Sequence, residues 1–213
     1  MDKNELVIVG DVIKSRRQFQ PDEWHYFHKS IETINKTFKS SLKIPFTVYS
    51  GDSFGAVCTD LQTATEIILA IQQIQKHQNS RMVLVEDKIT FGLENGNFLN
   101  LEGPALWKSD ALLKELKKKP SIFFAAQLNN HLMSVTINTI INLLLSIKSD
   151  WKKLEWEVYG NYTSEVTQLM LAKKMDITQQ YVSKIVKQSN LFLVKETEEN
   201  LKKIIHGINN YIH

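Results

Sequence analysis

The stretch Phe46-Thr47-Val48-Tyr49-Ser50-Gly51-Asp52-Ser53-Phe54-Gly55-Ala56-Val57-Cys58 decides the fold. It reads as two β-runs rich in aromatic and β-branched residues, hinged at Ser50-Gly51-Asp52. Glycine permits the positive φ of a tight hairpin, and an aspartate is at home beside it. Alone, the tripeptide is a turn. A second carboxylate gives it a sharper meaning, and Asp11 supplies one, at the end of the apolar run Leu6-Val7-Ile8-Val9-Gly10. Such a run marks a central strand buried on both faces. If that strand lies beside the hairpin, Asp11 and Asp52 converge at one edge of the sheet. Two carboxylates there are suited to the magnesium or manganese of a bound nucleotide.

Around this stretch the elements follow in a readable order. Lys14, Ser15 and Arg16 leave the first strand as a polar, basic exit suited to phosphates. Pro21-Asp22-Glu23 opens a helix, with Trp24, Phe27, Ile31, Ile34 and Phe38 along one apolar stripe. His25 and His28 lie beside that stripe with no third ligand nearby, so no metal role attaches to them. After the hairpin, Asp60 caps a second helix whose inner face is Leu61, Ala64, Ile67, Ile68, Ile71 and Ile74. Met82–Val85 reads as a short strand, and Ile89–Glu94 as another, turning through Asn95-Gly96-Asn97 into Phe98-Leu99. A helix from Ala105 to about Lys118 and a last strand at Ser121–Ala125 complete the set. The order predicts an α+β fold, a ferredoxin-like βαββαβ core with an antiparallel sheet and helices on one face. This domain is expected over residues 1–132, and an all-α domain over 133–213.

Composition narrows the function classes. The chain has 213 residues, 43% hydrophobic and 23% charged, with a net charge of +3, so it is an ordinary globular protein with ample core. The mild basicity permits nucleic-acid binding without requiring it. One cysteine, Cys58, excludes an intrachain disulfide and a cysteine-based zinc site. Met1–Glu5 is too polar for a signal peptide, and the apolar segment Ile140–Ile147 is too short to span a bilayer. The expectation is a cytoplasmic protein with no membrane partner.

Residues 163–189 fit a helix-turn-helix. Thr163 or Ser164 is placed to cap the first helix, with Val166, Leu169, Met170 and Ala172 inward. Met175-Asp176-Ile177 makes the turn, with Asp176 where glycine is usual. Thr178 caps the second helix, which Val182, Ile185 and Val186 pin to the first. Gln179, Gln180, Tyr181, Ser183, Lys184 and Lys187 then face outward with no acid among them. With the capping Thr178, these residue types suit base edges and phosphates of duplex DNA. A helical dimerisation bundle is the competing reading, since residues 150–213 hold nine Lys/Arg against eight Asp/Glu.

Taken together, Gly10-Asp11-Val12-Ile13-Lys14-Ser15, Gly51-Asp52-Ser53-Phe54, Phe91-Gly92-Leu93-Glu94-Asn95-Gly96 and Gly103-Pro104-Ala105-Leu106-Trp107 resemble the SatD family over nearly the whole chain. That family is similar in strand order and carboxylate placement to class III nucleotide cyclases and related palm domains. The resemblance implies Asp11 and Asp52 as metal-binding aspartates, with the Val12 carbonyl as a further ligand. It also implies an asparagine and an arginine in the helix after the last hairpin, which stabilise charge during transfer. Here that helix reads Leu106-Trp107-Lys108-Ser109-Asp110-Ala111-Leu112-Leu113-Lys114 and has neither. Lys108 could substitute only as a point charge, so the expectation leans away from an enzyme. Two functions stay open. One is a homodimeric DNA-binding transcription regulator whose cyclase-like domain binds a nucleotide or serves mainly as a dimerisation platform. The other is a cyclase or nucleotidyl-transfer enzyme with a helical appendage.

Overall fold

Strand β1 (Glu5–Val12) is the centre of the sheet because its residues tolerate no water on either side. Val7, Ile8 and Val9 are all buried. The computed structural model describes residues 3–13, 21–75 and 80–211. Helix α1 (Pro21–Thr37) follows, then the hairpin of β2 (Leu42–Tyr49) and β3 (Ser53–Cys58). Next come α2 (Leu61–Gln75), β4 (Ser80–Asp87), α3 (Pro104–Lys117) and the short β5 (Phe124–Gln127). The strands lie in the order β2-β3-β1-β4-β5. The first four strands in that order, with their three antiparallel pairings, give the ferredoxin-like arrangement that the sequence predicts.

The two helices of the βαββαβ core lie together on one face, where Phe27 of α1 meets Phe54 with ring centroids 5.9 Å apart. Helix α3 covers the other face instead: Ala105, Leu113 and Leu116 share a core with Val7, Val9, Val57 and Val83. So helices on one face describes the core but not its extension. The sheet is likewise not wholly antiparallel, since β5 runs parallel to β4, from Met82↔Phe124 to Val85↔Gln127. A parallel neighbour requires a crossover, and α3 is that crossover.

The second hairpin predicted over Ile89–Leu99 does not form. Phe91 and Glu102 make one isolated bridge, and two short 3₁₀ turns, Leu93–Asn95 and Phe98–Asn100, lie between them. Gly92 at φ 93° and Gly96 at φ 63° break the extended path that alternation suggested. The turn instead carries the Phe98 ring over Gly55, where an added Cβ would stand 2.2 Å from that ring.

The chain forms two compact units, Met1–Asn142 and Leu143–His213. Helix α4 (His131–Ser149) begins in the first, where side-chain amides on it complete the sheet edge. Asn142 Oδ1 accepts from the backbone N–H of Phe123 and Phe124, and Asn138 bonds both N–H and C=O of Ala126. By length and composition alone α4 is apolar enough to cross a membrane, longer than the segment weighed from sequence. Met133, Ile137 and Ile141, however, are buried in the protein.

The second unit holds α5 (Lys153–Asn161), α6 (Gln168–Met175), α7 (Gln179–Gln188) and α8 (Leu191–Tyr211). At its centre Lys148, 2% exposed, pairs with Glu198, while the Tyr159 hydroxyl donates to Glu198 at 2.7 Å. The ammonium also lies 4.5 Å from the Tyr159 ring centroid and 5.8 Å from those of Trp151 and Trp156. Burial pushes the lysine pKa below its ordinary value, against the pull of Glu198. Removing one partner of a buried pair strands the other. Glu198→Gln is therefore expected to cost about 3–5 kcal/mol of stability in urea unfolding. Adding Lys148→Met should recover most of it. A single variant as stable as the parent would mean the pair is not a structural requirement.

Candidate functional site

Antiparallel register sets the neighbours of Asp11. On β3 its partner is Ser53, and on β4 it is Arg81. Asp52 is the residue before Ser53, and its carbonyl accepts from the Val12 N–H at 3.1 Å. The turn that presents it has Ser50 at φ 50° and Gly51 at φ 85°, so two consecutive residues are left-handed. The backbones of Asp11 and Asp52 therefore lie near each other at one end of the central strands, and the Asp52 charge acts on Asp11.

Asp11 is 7% exposed. Its Oδ2 lies 2.6 Å from the Lys117 ammonium, at the last turn of α3. Its Oδ1 is buried with no hydrogen-bond partner, and so is Nε of Arg81 on the neighbouring strand. Desolvation raises the Asp11 pKa above its ordinary value, Lys117 lowers it, and Asp52 raises it again. Tyr49 stacks on Phe98, with centroids 5.8 Å apart. Burial, with the charges of Asp110 and Asp11, pushes its phenol up to about 12, so it stays neutral.

The residues expected at phosphates divide. Lys14, Ser15 and Arg16 lie outside the described residues. Lys108 pairs with Asp87, which lies opposite Glu5 at the far end of β1 from Asp11. The structure thus does not bring Lys108 to the carboxylates. It brings Lys117 and Arg81, which the sequence reading passed over. Lys117 belongs to the run Lys117-Lys118-Lys119 that reads as a solvated helix end. Arg81 becomes visible only once β4 is paired with β1 in register.

These residues fit a hard divalent cation in one specific way. Among the described residues no group of three or more His, Cys, Asp or Glu could hold a metal by itself. Asp11 and Asp52, with the Val12 carbonyl as the sequence expects, would supply only part of a shell and leave the other positions of such an ion to water and phosphate oxygens. The orphaned Oδ1 of Asp11 is the acceptor such an ion would use. Cys58 takes no part: it is buried, and its thiol is pushed up to about 12, mainly by burial.

In the second unit the helix-turn-helix forms over α6 and α7. Asp176 takes the left-handed conformation at φ 53° and ψ 47°, and its N–H and that of Ile177 both bond the Ala172 carbonyl. Thr178 caps α7 by accepting from the Tyr181 N–H. Val182, Ile185 and Val186 are buried, Gln179, Gln180, Tyr181, Lys184 and Lys187 are exposed, and Ser183 is half-buried. The first helix differs from expectation. It starts later, with Thr167 rather than Thr163 or Ser164 as cap, so Leu171 and Ala172 turn inward while Leu169 and Met170 stay half-exposed.

A pH dependence follows from Asp11. Its folded pKa is raised above the unfolded value near 3.8, so its contribution to stability is greatest below that pH. The contribution is lost as pH rises through the folded value. Asp11→Asn, which removes the charge, should raise the melting temperature at pH 7, with the gain shrinking as pH falls toward 4. A destabilised variant at pH 7 would mean that the Lys117 pair outweighs burial.

Among curated proteins, no sequence matches the chain. Among solved structures it is similar to a bacterial light-regulated adenylyl cyclase, at 11% identity. The match covers 59% of this chain and 76% of that one with a TM-score of 0.41. The sequence model of one family matches residues 5–205, nearly the whole length, and on that ground the chain belongs to the SatD family.

Proposed function

We propose that this protein is a DNA-binding transcription regulator whose first unit is a cyclase-like domain binding a divalent cation with a nucleotide. The observation that carries the DNA reading is the outward face of α7. Gln179, Gln180, Tyr181, Lys184 and Lys187 are exposed together with no acid among them. Amides and a hydroxyl there suit base edges, and the lysines suit phosphates. One such helix covers few base pairs, so the binding species is a homodimer. Changing both Lys184 and Lys187 to Ala should weaken the full-length protein on every duplex and flatten the salt dependence by roughly two units of slope. Gln179→Ala or Gln180→Ala should instead relax sequence preference. Full-length protein without salt-sensitive binding to any duplex would sink the regulator reading.

The buried, unpartnered oxygen of Asp11 beside Asp52 supports the nucleotide half. Asp11, Asp52 and the Val12 carbonyl would hold magnesium or manganese, which when bound offsets the charge of a nucleotide's phosphates. Groups that stabilise only a transition state are missing from α3, and Lys108 sits on Asp87. Contacts that hold ground and transition states equally give affinity without rate. The expected outcome is manganese-dependent nucleotide binding by the parent, its sharp loss in Asp52→Asn, and little or no cyclic nucleotide formed. Rapid turnover would favour the enzyme reading instead.

A further inference from the structure

The end of β1 holds two buried polar atoms of opposite character, and neither has a partner: Oδ1 of Asp11 and Nε of Arg81. They belong to cross-strand partners, so they lie on the same face of adjacent strands. An orphaned carboxylate oxygen calls for a cation, and an orphaned guanidinium N–H calls for an oxyanion. A ligand that satisfies both brings positive charge and anionic oxygen together, as a metal-bound phosphate chain does. Lys117 stands between these demands. Its ammonium takes the other Asp11 oxygen at 2.6 Å, while its side chain remains 47% exposed.

Resting on the cation–nucleotide reading above, we infer that Lys117 exchanges partners: it holds Asp11 when the site is free, yields it to the divalent cation, and then binds the phosphate oxygens beside Arg81. An ion on one oxygen of a carboxylate repels an ammonium on the other, so the arriving cation loosens the hold of Lys117 and favours its release. A half-exposed lysine loses little when such a pair breaks, because water solvates the released head. Its compact, rotatable charge serves any oxyanion within reach of its stem, whereas a fixed fork would not. Arg81, held by β4, supplies the directional contact that Lys117 does not. The exchange also gives the empty site a safeguard. Without Lys117 the buried Asp11 would face Asp52 with less compensation, and both carry the same sign.

The test uses the full chain, with manganese alone and with inorganic tripolyphosphate in saturating manganese as probes, both followed by calorimetry. Lys117→Met should bind manganese alone about fivefold more tightly, since an exposed ion pair no longer competes. The same variant should bind tripolyphosphate about fivefold more weakly, having lost a charge-assisted contact. Arg81→Gln should weaken tripolyphosphate and leave manganese alone unchanged. Opposite signs in Lys117→Met are the signature; equal signs, or no change in either, overturn the exchange. If the parent binds manganese, Asp52→Asn does not, and Lys117→Met matches the parent on both probes, the exchange fails while the cation site stands. If the parent binds no manganese with or without tripolyphosphate, the cation–nucleotide reading fails and takes the exchange with it.

Discussion

Gly10 and Phe54 face each other across β1 and β3, and the ring fills the space a side chain at position 10 would need. A Cβ there would stand 2.5 Å from the ring. One residue of slip would bring a side chain of β1 against this ring and exchange its two buried faces, so this contact helps lock the register. With Gly10 opposite Phe54, Asp11 falls opposite Ser53, and Asp52 necessarily follows the turn beside it. Phe98 does the same from the other face by closing over Gly55. The two glycines thus leave room for the rings that fix which residues of β1 and β3 stand side by side.

The parts of the fold readable from sequence are those whose signals are local. The first strand declares itself by an apolar run, and α1 by Trp24, Phe27, Ile31 and Ile34 at helical spacing. The turn of the helix-turn-helix shows in Thr178 and in the buried residues of α7. Asp11 and Asp52 were readable because each ends or begins a strand. What escaped depends on contacts distant in sequence. Ile89–Leu99 alternates like a strand, yet its glycines and the burial of Phe98 against Gly55 override local preference. Lys117 was hidden for a topological reason. Because β5 is parallel to β4, α3 must return from the end of β4 toward its start. That return brings the helix from Lys108, beside Asp87, to Lys117, beside Asp11.

The crossover also separates two roles that composition alone would merge. Lys108 and Lys117 lie on one helix, and either could serve a phosphate. Only the second reaches the carboxylates, because the first is tied to Asp87 at the opposite end. A charged residue in α3 thus gains meaning from its position along the helix.

Buried charge appears in both units but is treated differently, and the contrast separates structure from function. In the second unit, Lys148 has Glu198, the Tyr159 hydroxyl at 3.3 Å and three aromatic faces around it. Its charge is met by a carboxylate, a hydroxyl and aromatic faces, although burial still weighs against it, and such partners are how a protein holds a buried ion for packing. At Asp11 the compensation is left unfinished: one oxygen is paired with a half-exposed lysine, and the other with nothing. Folding gains little from that arrangement, since burial already disfavours the ionised carboxylate. The ammonium of Lys148 thus finds several partners in one unit, whereas one oxygen of Asp11 finds none in the other. On the proposed function the unpaired oxygen is a ligand position rather than a packing fault, and its cost is stability that a binding site gives up.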